Sequence, residues 1–289
     1  MTTPSRSSLS ARSADHVVAA IPAAWLAVFF LAPLGFTVVF SFARSVFGGV
    51  ELAFTFENYR TALTGFNGAT FLRTIVFAVS ASALCLAAAY PVAYFLARHT
   101  GRRRAIAVVL ILVPYFSSFL IRIMALHMLM SRGGFAETVL NALYLHGGPL
   151  DVLDTQTAVF IGMVYAYLPI AIVPLFVVLD RIPKPLLEAS RDLGASPLKT
   201  FVFVTLPLSR PGVATAVLLT AVPMLGEMVI PRLLGGSKGV LMGQAISSQF
   251  LQSQNYALGA AMAVLVLLAV GVMVVLLARL TKGFAEIGQ

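Results

Sequence analysis

The chain has 289 residues, of which 59% are apolar and 11% are charged, whereas about 25% of the residues in soluble domains carry a charge. This composition excludes an ordinary soluble domain, and the length has room for roughly six membrane-spanning helices of about 20 residues with their loops. The net charge of +9 does not indicate nucleic-acid binding, because the basic residues lie between apolar runs rather than on one soluble face. The single cysteine, Cys85, excludes an intramolecular disulfide and a cysteine-based metal cluster.

The apolar runs predict an all-α, polytopic membrane protein with six transmembrane helices. Residues 1–16 are Ser-rich and polar, and we expect them to form a disordered N-terminal tail. Residues 17–289 are expected to form one transmembrane domain. Its spans are predicted near residues 17–42, 71–97, 105–130, 156–179, 212–231 and 256–280.

The distribution of positive charge predicts the orientation of these spans. Lys and Arg are most frequent before the first span, in the loops that follow the second and fourth spans, and after the sixth span. Positively charged loops tend to stay in the cytoplasm. Both termini are therefore predicted to be cytoplasmic.

The connection 181–210, between the fourth and fifth spans, is long and rich in charge, so we expect it to have a structure of its own. Good helix formers at 186–193 predict a short helix, and Gly194 can adopt the positive φ that helix C-termini commonly require. A second helix is predicted to begin after Ser196, an N-cap residue, with Pro197 at its first position. The result is a helix-turn-helix at the membrane surface.

This connection resembles the EAA loop of permease subunits of ATP-binding-cassette importers. It has Glu-Ala-Ser at 188–190, Gly194 after three intervening residues, Val204, and Leu-Pro at 206–207. The family pattern is E-A-A-x3-G-x9-I-x-L-P, so Ser190 and Val204 are the departures. The resemblance implies the type I importer permease fold, with a cytoplasmic coupling helix that docks in a groove of an ATPase. The coupling residues that it implies are Glu188, Ala189, Ser190, Arg191, Asp192, Gly194, Leu206 and Pro207.

Other segments resemble one branch of these permeases, the B-type subunit of the spermidine/putrescine family. They are TFENY at 55–59, YPVAYFLAR at 90–98, LIR at 120–122 and GEMVIPRLLGG at 226–236. The resemblance implies a translocation path for a polyamine-like cationic small molecule. Because close relatives are similar to carriers of opines, aminoethylphosphonate or amino-acid-like amines, these cargoes stay open.

The resemblance also implies partners and a location. The partners are a second permease of C type, an ATPase dimer, an extracytoplasmic substrate-binding protein and membrane lipid, in the inner membrane of a bacterium. The sequence has no G-x-x-x-x-G-K-[ST] phosphate loop. We therefore expect a transport subunit rather than an enzyme, with no cofactor or metal of its own and with ATP and Mg²⁺ on the separate ATPase.

Two ionisable residues in apolar surroundings are candidates for the transport path. Arg122 is predicted to lie in mid-span, where a cation must face a cavity or a partner, and Glu227 lies near the outer end of the fifth span. The two side chains form a structural pair, or Glu227 attracts an amine in the cargo path, or both reach the outer interface. Aromatic residues at similar depth offer cation–π contacts to an ammonium group. They are Tyr115, Phe116, Tyr165 and Tyr167.

A stand-alone, ion-coupled secondary carrier is the main alternative from another class. Such carriers usually have several intramembrane ionisable groups and often inverted repeats. This sequence shows chiefly Arg122 and Glu227 and no evident repeat. The importer permease is therefore the favoured interpretation.

Overall fold

A computed structural model of the chain describes residues 20, 22–46, 49–99, 101–143 and 149–285. The predicted tail 1–16 and the beginning of the first predicted span lie outside these residues. Within them the chain is almost entirely helical. One short antiparallel hairpin, β1 (Arg44–Val46) and β2 (Gly49–Glu51), pairs Arg44 with Glu51 and Ser45 with Val50.

The helices are numbered in chain order. The first half comprises α1 (Pro22–Ser41), α2 (Glu57–Leu63), α3 (Gly65–Arg98), α4 (Arg102–Tyr115), α5 (Phe119–Met130), α6 (Phe135–Ala142) and α7 (Gln156–Asp180). The second half comprises α8 (Lys184–Asp192), α9 (Pro197–Leu208), α10 (Arg210–Leu225), α11 (Val229–Leu234), α12 (Met242–Leu251) and α13 (Tyr256–Ala285). Helices α1 and α9 each contain a π-helical turn, at Ala27–Leu31 and Phe201–Thr205.

Among the described residues, α1, α3, α7 and α13 are each long and apolar enough to cross a membrane. Two further spans are obtained when bent pairs are counted as one, α4 with the segment 119–142 and α9 with α10. The protein therefore has four straight candidate spans and up to six in all.

The predicted third span, 105–130, is wrong as a single helix, because the chain bends by 90° after α4. Pro114 lies in the last turn of α4, and the Ser117 hydroxyl donates to the Pro114 carbonyl at 2.6 Å. That carbonyl is the one that the amide of residue 118 would use in a continuous helix, so the side chain competes with the backbone. Proline also lacks the N–H that would hold the preceding turn.

The predicted fifth span, 212–231, is also interrupted and consists of two helices. Helix α10 ends at Leu225, and α11 begins at Val229 after a three-residue break. The Glu227 carboxylate accepts hydrogen bonds from the amides of Val229 at 2.8 Å and Ile230 at 3.2 Å. A side chain that accepts from the first free amides of a helix favours a new start at that point.

The core lies where α3, α7 and α10 pack together. Small buried residues permit this close approach, and Ser82 of α3 shares a 2.6 Å hydrogen bond with Thr220 of α10. At Gly162 of α7, an added Cβ would lie 2.8 Å from a side-chain carbon of Ile230, so only glycine fits there against α11. The buried small residues of α3 include Ala78, Ala81, Ala89 and Ala93.

Helix α4 lies outside this core, since none of its residues is buried. At its beginning, Arg104 makes a bidentate ion pair with Asp180 of α7, at 3.0 and 3.1 Å. The Arg104 guanidinium also lies 4.7 Å from the ring centre of Phe176. Helix α4 is thus attached to the core by these contacts of Arg104 and by the partly buried Ala107, Val108 and Ile111.

The glycine-rich segment 235–239 is a turn, as its sequence predicts. A Cβ added at Gly235 would meet the Gly239 Cα at 2.9 Å and a Val159 methyl at 2.7 Å. Gly236 adopts a φ of +49° beside Asp154, whose amide donates to the Leu234 carbonyl at 2.9 Å. The turn therefore locks the end of α11 against the beginning of α7.

Candidate functional site

The predicted helix-turn-helix of the EAA loop is present as α8 and α9. Gly194 has a φ of +81°, and its amide donates to the Arg191 carbonyl at 2.8 Å, which closes the end of α8. Glycine adopts this left-handed conformation without strain. Helix α9 begins where the Ser196 hydroxyl accepts from the Lys199 amide at 3.3 Å, which confirms the predicted N-cap.

A hydrogen bond between side chains holds the two helices of the loop together. The Ser190 hydroxyl lies 3.0 Å from the Thr200 hydroxyl, and Leu187 of α8 is buried beneath the loop. The family pattern has alanine at the position of Ser190, which would make no such bond. Here the departure from the pattern joins α8 to α9.

The outer side of this loop is exposed. Glu188, Ala189, Arg191, Asp192 and Gly194 all lie at the surface. Leu206 and Pro207 are less exposed and lie near the 63° bend between α9 and α10, away from the Gly194 turn. The structure therefore brings the first part of the motif together and separates it from the Leu-Pro pair.

Two large apolar residues beside the turn are not part of the EAA motif and were not predicted as coupling residues. Leu193 is 90% exposed and Leu198 is 72% exposed, and such exposed apolar surface commonly marks an interaction site. A signal was available in the sequence, because Leu193 follows the buried Leu187 by six residues. At about 100° per residue, those two side chains cannot share one helix face.

The middle and the C-terminal end of α9 pack against the C-terminal end of α3. The Tyr90 hydroxyl lies 2.8 Å from the Ser209 hydroxyl, and the rings of Tyr90 and Tyr94 stand edge-on to Phe201 at centroid distances of 5.5 and 6.1 Å. Edge-to-face contacts of this kind are favourable beyond simple area burial. The loop is therefore in direct contact with α3.

The Glu227 carboxylate is buried and well ordered by hydrogen bonds. One oxygen, Oε2, accepts from the Tyr167 hydroxyl at 2.6 Å, and Oε1 accepts from the two amides at the beginning of α11. Among the ion pairs between described residues, none involves Glu227. The negative charge is therefore held by dipoles, without a cation within 4 Å in the described part of the chain.

The Arg122 side chain contacts the end of α4 and forms no ion pair with Glu227. Its Nη1 donates to the carbonyls of Pro114 at 3.4 Å and Tyr115 at 3.2 Å. These are the carbonyls that the break after α4 leaves open, so Arg122 caps the end of that helix. Arg122 and Glu227 therefore form no ion pair within the described part of this chain, and the prediction that both reach the outer interface stays a prediction.

Arg122 and Glu227 nevertheless line the same cavity, which we name the Glu227 cavity. It has a volume of about 410 Å³. Its wall also contains Tyr115, Tyr167 and Met228. A buried carboxylate and two aromatic rings thus face one space, which is a suitable environment for an organic cation.

Two predicted path residues are absent from the lining of this cavity. Phe116 lies in the break after α4 and is 80% exposed, and Tyr165 is 44% exposed on the outer side of α7. Two positions apart on a helix correspond to about 200°, so Tyr165 points away when Tyr167 contacts Glu227. The structure therefore favours Tyr167 over Tyr165.

The arrangement of a permease core, an exposed helix-turn-helix and an intramembrane cavity agrees with the comparison with known families. The family model described as "Binding-protein-dependent transport system inner membrane component" matches residues 89–285. The chain belongs to this family. It is a multi-pass transport subunit of the inner membrane, from a binding-protein-dependent system.

Individual relatives specify the branch. The chain is 33% identical over 269 residues to the "Spermidine/putrescine transport system permease protein PotB" of Salmonella typhimurium (strain SL1344). The aligned region covers 93% of this chain and 94% of the relative. It is 34% identical over 259 residues to the PotB protein of Escherichia coli (strain K12), covering 89% and 94%. The resemblance to the B-type permeases is confirmed.

Solved structures show the same fold. A bacterial ABC transporter involved in the import of the acidic polysaccharide alginate has a chain that superposes with a TM-score of 0.68 at 16% identity, covering 97% of this chain and 99% of that one. A second structure, of the alginate transporter in complex with a pentasaccharide-bound periplasmic protein, gives 0.71 at 15% identity, with coverage of 96% and 97%. These similarities confirm the type I permease fold.

Proposed function

We propose that this chain forms, with a second permease of C type, the translocation path for a polyamine-like cation of the spermidine/putrescine class. The observation that carries the proposal is the Glu227 carboxylate, which is buried in a cavity and, although Arg122 lines the same cavity, belongs to no ion pair between the described residues. A buried charge of this kind is costly unless it is compensated. An ammonium group of the cargo supplies the missing charge, and the curated relatives indicate a polyamine.

The cavity provides three kinds of contact for such a cargo. Glu227 accepts charge-assisted hydrogen bonds, each contributing about 1.5–3 kcal/mol. The Tyr167 hydroxyl fixes the orientation of the carboxylate by donating to Oε2. Methylene groups pack on the apolar wall, which includes Ile170 and Pro223.

The energy for transport reaches this chain through the EAA loop. The exposed turn around Gly194, with Leu193 and Leu198, docks on a separate ATPase dimer that binds ATP and Mg²⁺. An extracytoplasmic binding protein delivers the cargo, and both termini of this chain lie in the cytoplasm. The location of Lys and Arg in alternate loops supports this orientation.

The first experiment asks which proteins accompany this chain. Mild-detergent purification from the native membrane, with mass spectrometry and an ATPase assay, is expected to recover an ABC ATPase and a second permease. A chain that purifies alone without ATPase activity would contradict the proposal and support a stand-alone carrier.

The second experiment tests the cargo and Glu227. Proteoliposomes with the complete importer are expected to take up labelled spermidine or putrescine, and Glu227→Gln should raise the KM roughly tenfold or more, since one charge-assisted contact is lost. Glu57→Gln is the control, because Glu57 is an exposed carboxylate outside the Glu227 cavity. Preferential competition by an opine or aminoethylphosphonate would instead assign one of those cargoes.

A further inference from the structure

A second cavity lies beside the Glu227 cavity, between α5, α11 and α12, and has a volume of about 350 Å³. Arg232 of α11 supplies a positive charge in its wall, and polar side chains of α12, including Ser247, line it as well. We name it the Arg232 cavity.

The polar groups of this cavity suit an anion. Arg232 is exposed and belongs to none of the ion pairs between described residues. The Gln252 side chain accepts from the Ser248 hydroxyl through Oε1 at 2.8 Å, so its amide nitrogen is the end that can donate to an occupant. A guanidinium donates two parallel hydrogen bonds to a carboxylate. The wall therefore matches a carboxylate.

Apolar side chains border these polar groups. Leu120, Met228 and Leu251 line the cavity and are all exposed. A cation beside an apolar rim is typical of a contact between proteins, where arginine and methionine are enriched. A lipid chain would cover the rim but leave the guanidinium without a counter-charge. A protein occupant with an acidic side chain fits both parts of the surface.

The position of the cavity indicates which protein covers it. Met228 and Val229 line both cavities. Gly243 of α12 approaches the break in the fifth span so closely that an added Cβ would lie 2.6 Å from the Glu227 carbonyl oxygen. In the proposed function, the second permease completes the path that the Glu227 cavity faces. The adjoining Arg232 cavity therefore lies beside the same boundary between subunits.

We propose that the Arg232 cavity receives an acidic side chain of the second permease, which pairs with Arg232 and accepts a hydrogen bond from Gln252. This inference rests on the proposed function. Leu120 and Leu251 pack around the pair and exclude water, which strengthens the attraction between the two charges. The contact holds the second permease beside Met228, at the edge of the Glu227 cavity.

Charge reversal tests the pair in importer that is co-expressed and purified in mild detergent. Arg232→Glu should reduce recovery of the second permease roughly tenfold or more, because the loss of one partner from a desolvated charge pair is costly. Arg232→Lys keeps the charge and should retain part of the recovery. Lys238→Glu is the matched control, since Lys238 is exposed and lies outside both cavities. Recovery of the ATPase with each variant shows that the chain is folded.

A photo-crosslinking residue identifies the occupant independently of any loss of stability. Leu251 is exposed on the rim of the cavity, and benzoyl-phenylalanine is incorporated in its place. Irradiation of native membranes is expected to link this position to the second permease. Mass spectrometry should place the link in a peptide that contains Asp or Glu.

Two results would overturn the inference. They are full recovery of the second permease with Arg232→Glu, and crosslinks from position 251 that reach only the binding protein or lipid. Either result can occur while Glu227→Gln still raises the KM for the amine, and the proposed function then stands. Absence of a second permease from the wild-type purification would defeat the proposed function itself.

Discussion

Arg122 is a structural residue, because its guanidinium caps the end of α4 and does not form an ion pair with a carboxylate of the described residues. It donates to the carbonyls of Pro114 and Tyr115, and the ring of Tyr115 lies 5.3 Å from its guanidinium carbon. Arg122 thus also positions one aromatic wall of the Glu227 cavity. The sequence singles out Arg122 but does not predict its contacts with these carbonyls, since the carbonyls become accessible only where the chain bends.

Replacing Arg122 should therefore affect folding more than cargo affinity. Arg122→Gln is expected to lower the stability by about 1–3 kcal/mol, because two carbonyls lose a charged donor. The KM for the amine should not rise, because the charge removed from the wall of the Glu227 cavity has the same sign as the cargo. Arg122→Lys should recover part of the stability. Thermal melting in detergent beside transport kinetics checks this, and a raised KM with an unchanged Tm would show direct contact between Arg122 and the cargo.

Position 194 requires glycine because of its backbone conformation and not because the space around it is limited. Its φ is +81°, and an added Cβ would meet no atom within 4 Å. Gly194→Val is expected to distort the turn at a cost of about 1–2 kcal/mol, which should abolish ATP-driven uptake while membrane insertion is retained. The matched control is Gly271→Val on α13, where the space is equally open. Wild-type uptake in Gly194→Val would refute the coupling role.

At the scale of helices, the sequence predicts the straight elements well and the broken ones poorly. The helix 156–179 is observed as Gln156–Asp180 because its hydrophobic run is uninterrupted. The span 105–130 breaks because the Ser117 hydroxyl and Arg122 compete for carbonyls near Pro114. Proline alone does not specify a break, since α7 continues through Pro169 and Pro174. The outcome depends on whether nearby side chains, here Ser117 and Arg122, hydrogen-bond to the carbonyl of the proline.

The exposed turn between α8 and α9 should bind the ATPase through its apolar residues. Leu193→Ser with Leu198→Ser is expected to reduce recovery of the ATPase by affinity purification by about an order of magnitude, since two exposed leucines lose their burial at the interface. Recovery of the second permease should not change. Leu143→Ser is a suitable control, because Leu143 is also exposed but follows α6. Equal ATPase recovery from both variants would show that polar contacts dominate.

At the scale of the whole molecule, the coupling surface and the Glu227 cavity belong to one packed unit. The loop contacts α3 through Tyr90 and Tyr94, α3 packs on α7, and α7 carries Tyr167 to Glu227. The fold class and the coupling turn could be predicted from composition and from a local motif. The composition of the Glu227 cavity could be predicted only in part. Arg122, Glu227, Tyr115 and Tyr167 line it as expected, whereas Phe116 and Tyr165 do not, because the lining depends on which face of each helix turns inward.

The glycine turn at 235–239 limits how the protein can open and close. Gly235 lies against both Gly239 and Val159 of α7. The segment that carries Glu227 is therefore held against α7. Because the Tyr167 hydroxyl also donates to Glu227, we expect the carboxylate and α7 to move together as one rigid body during transport.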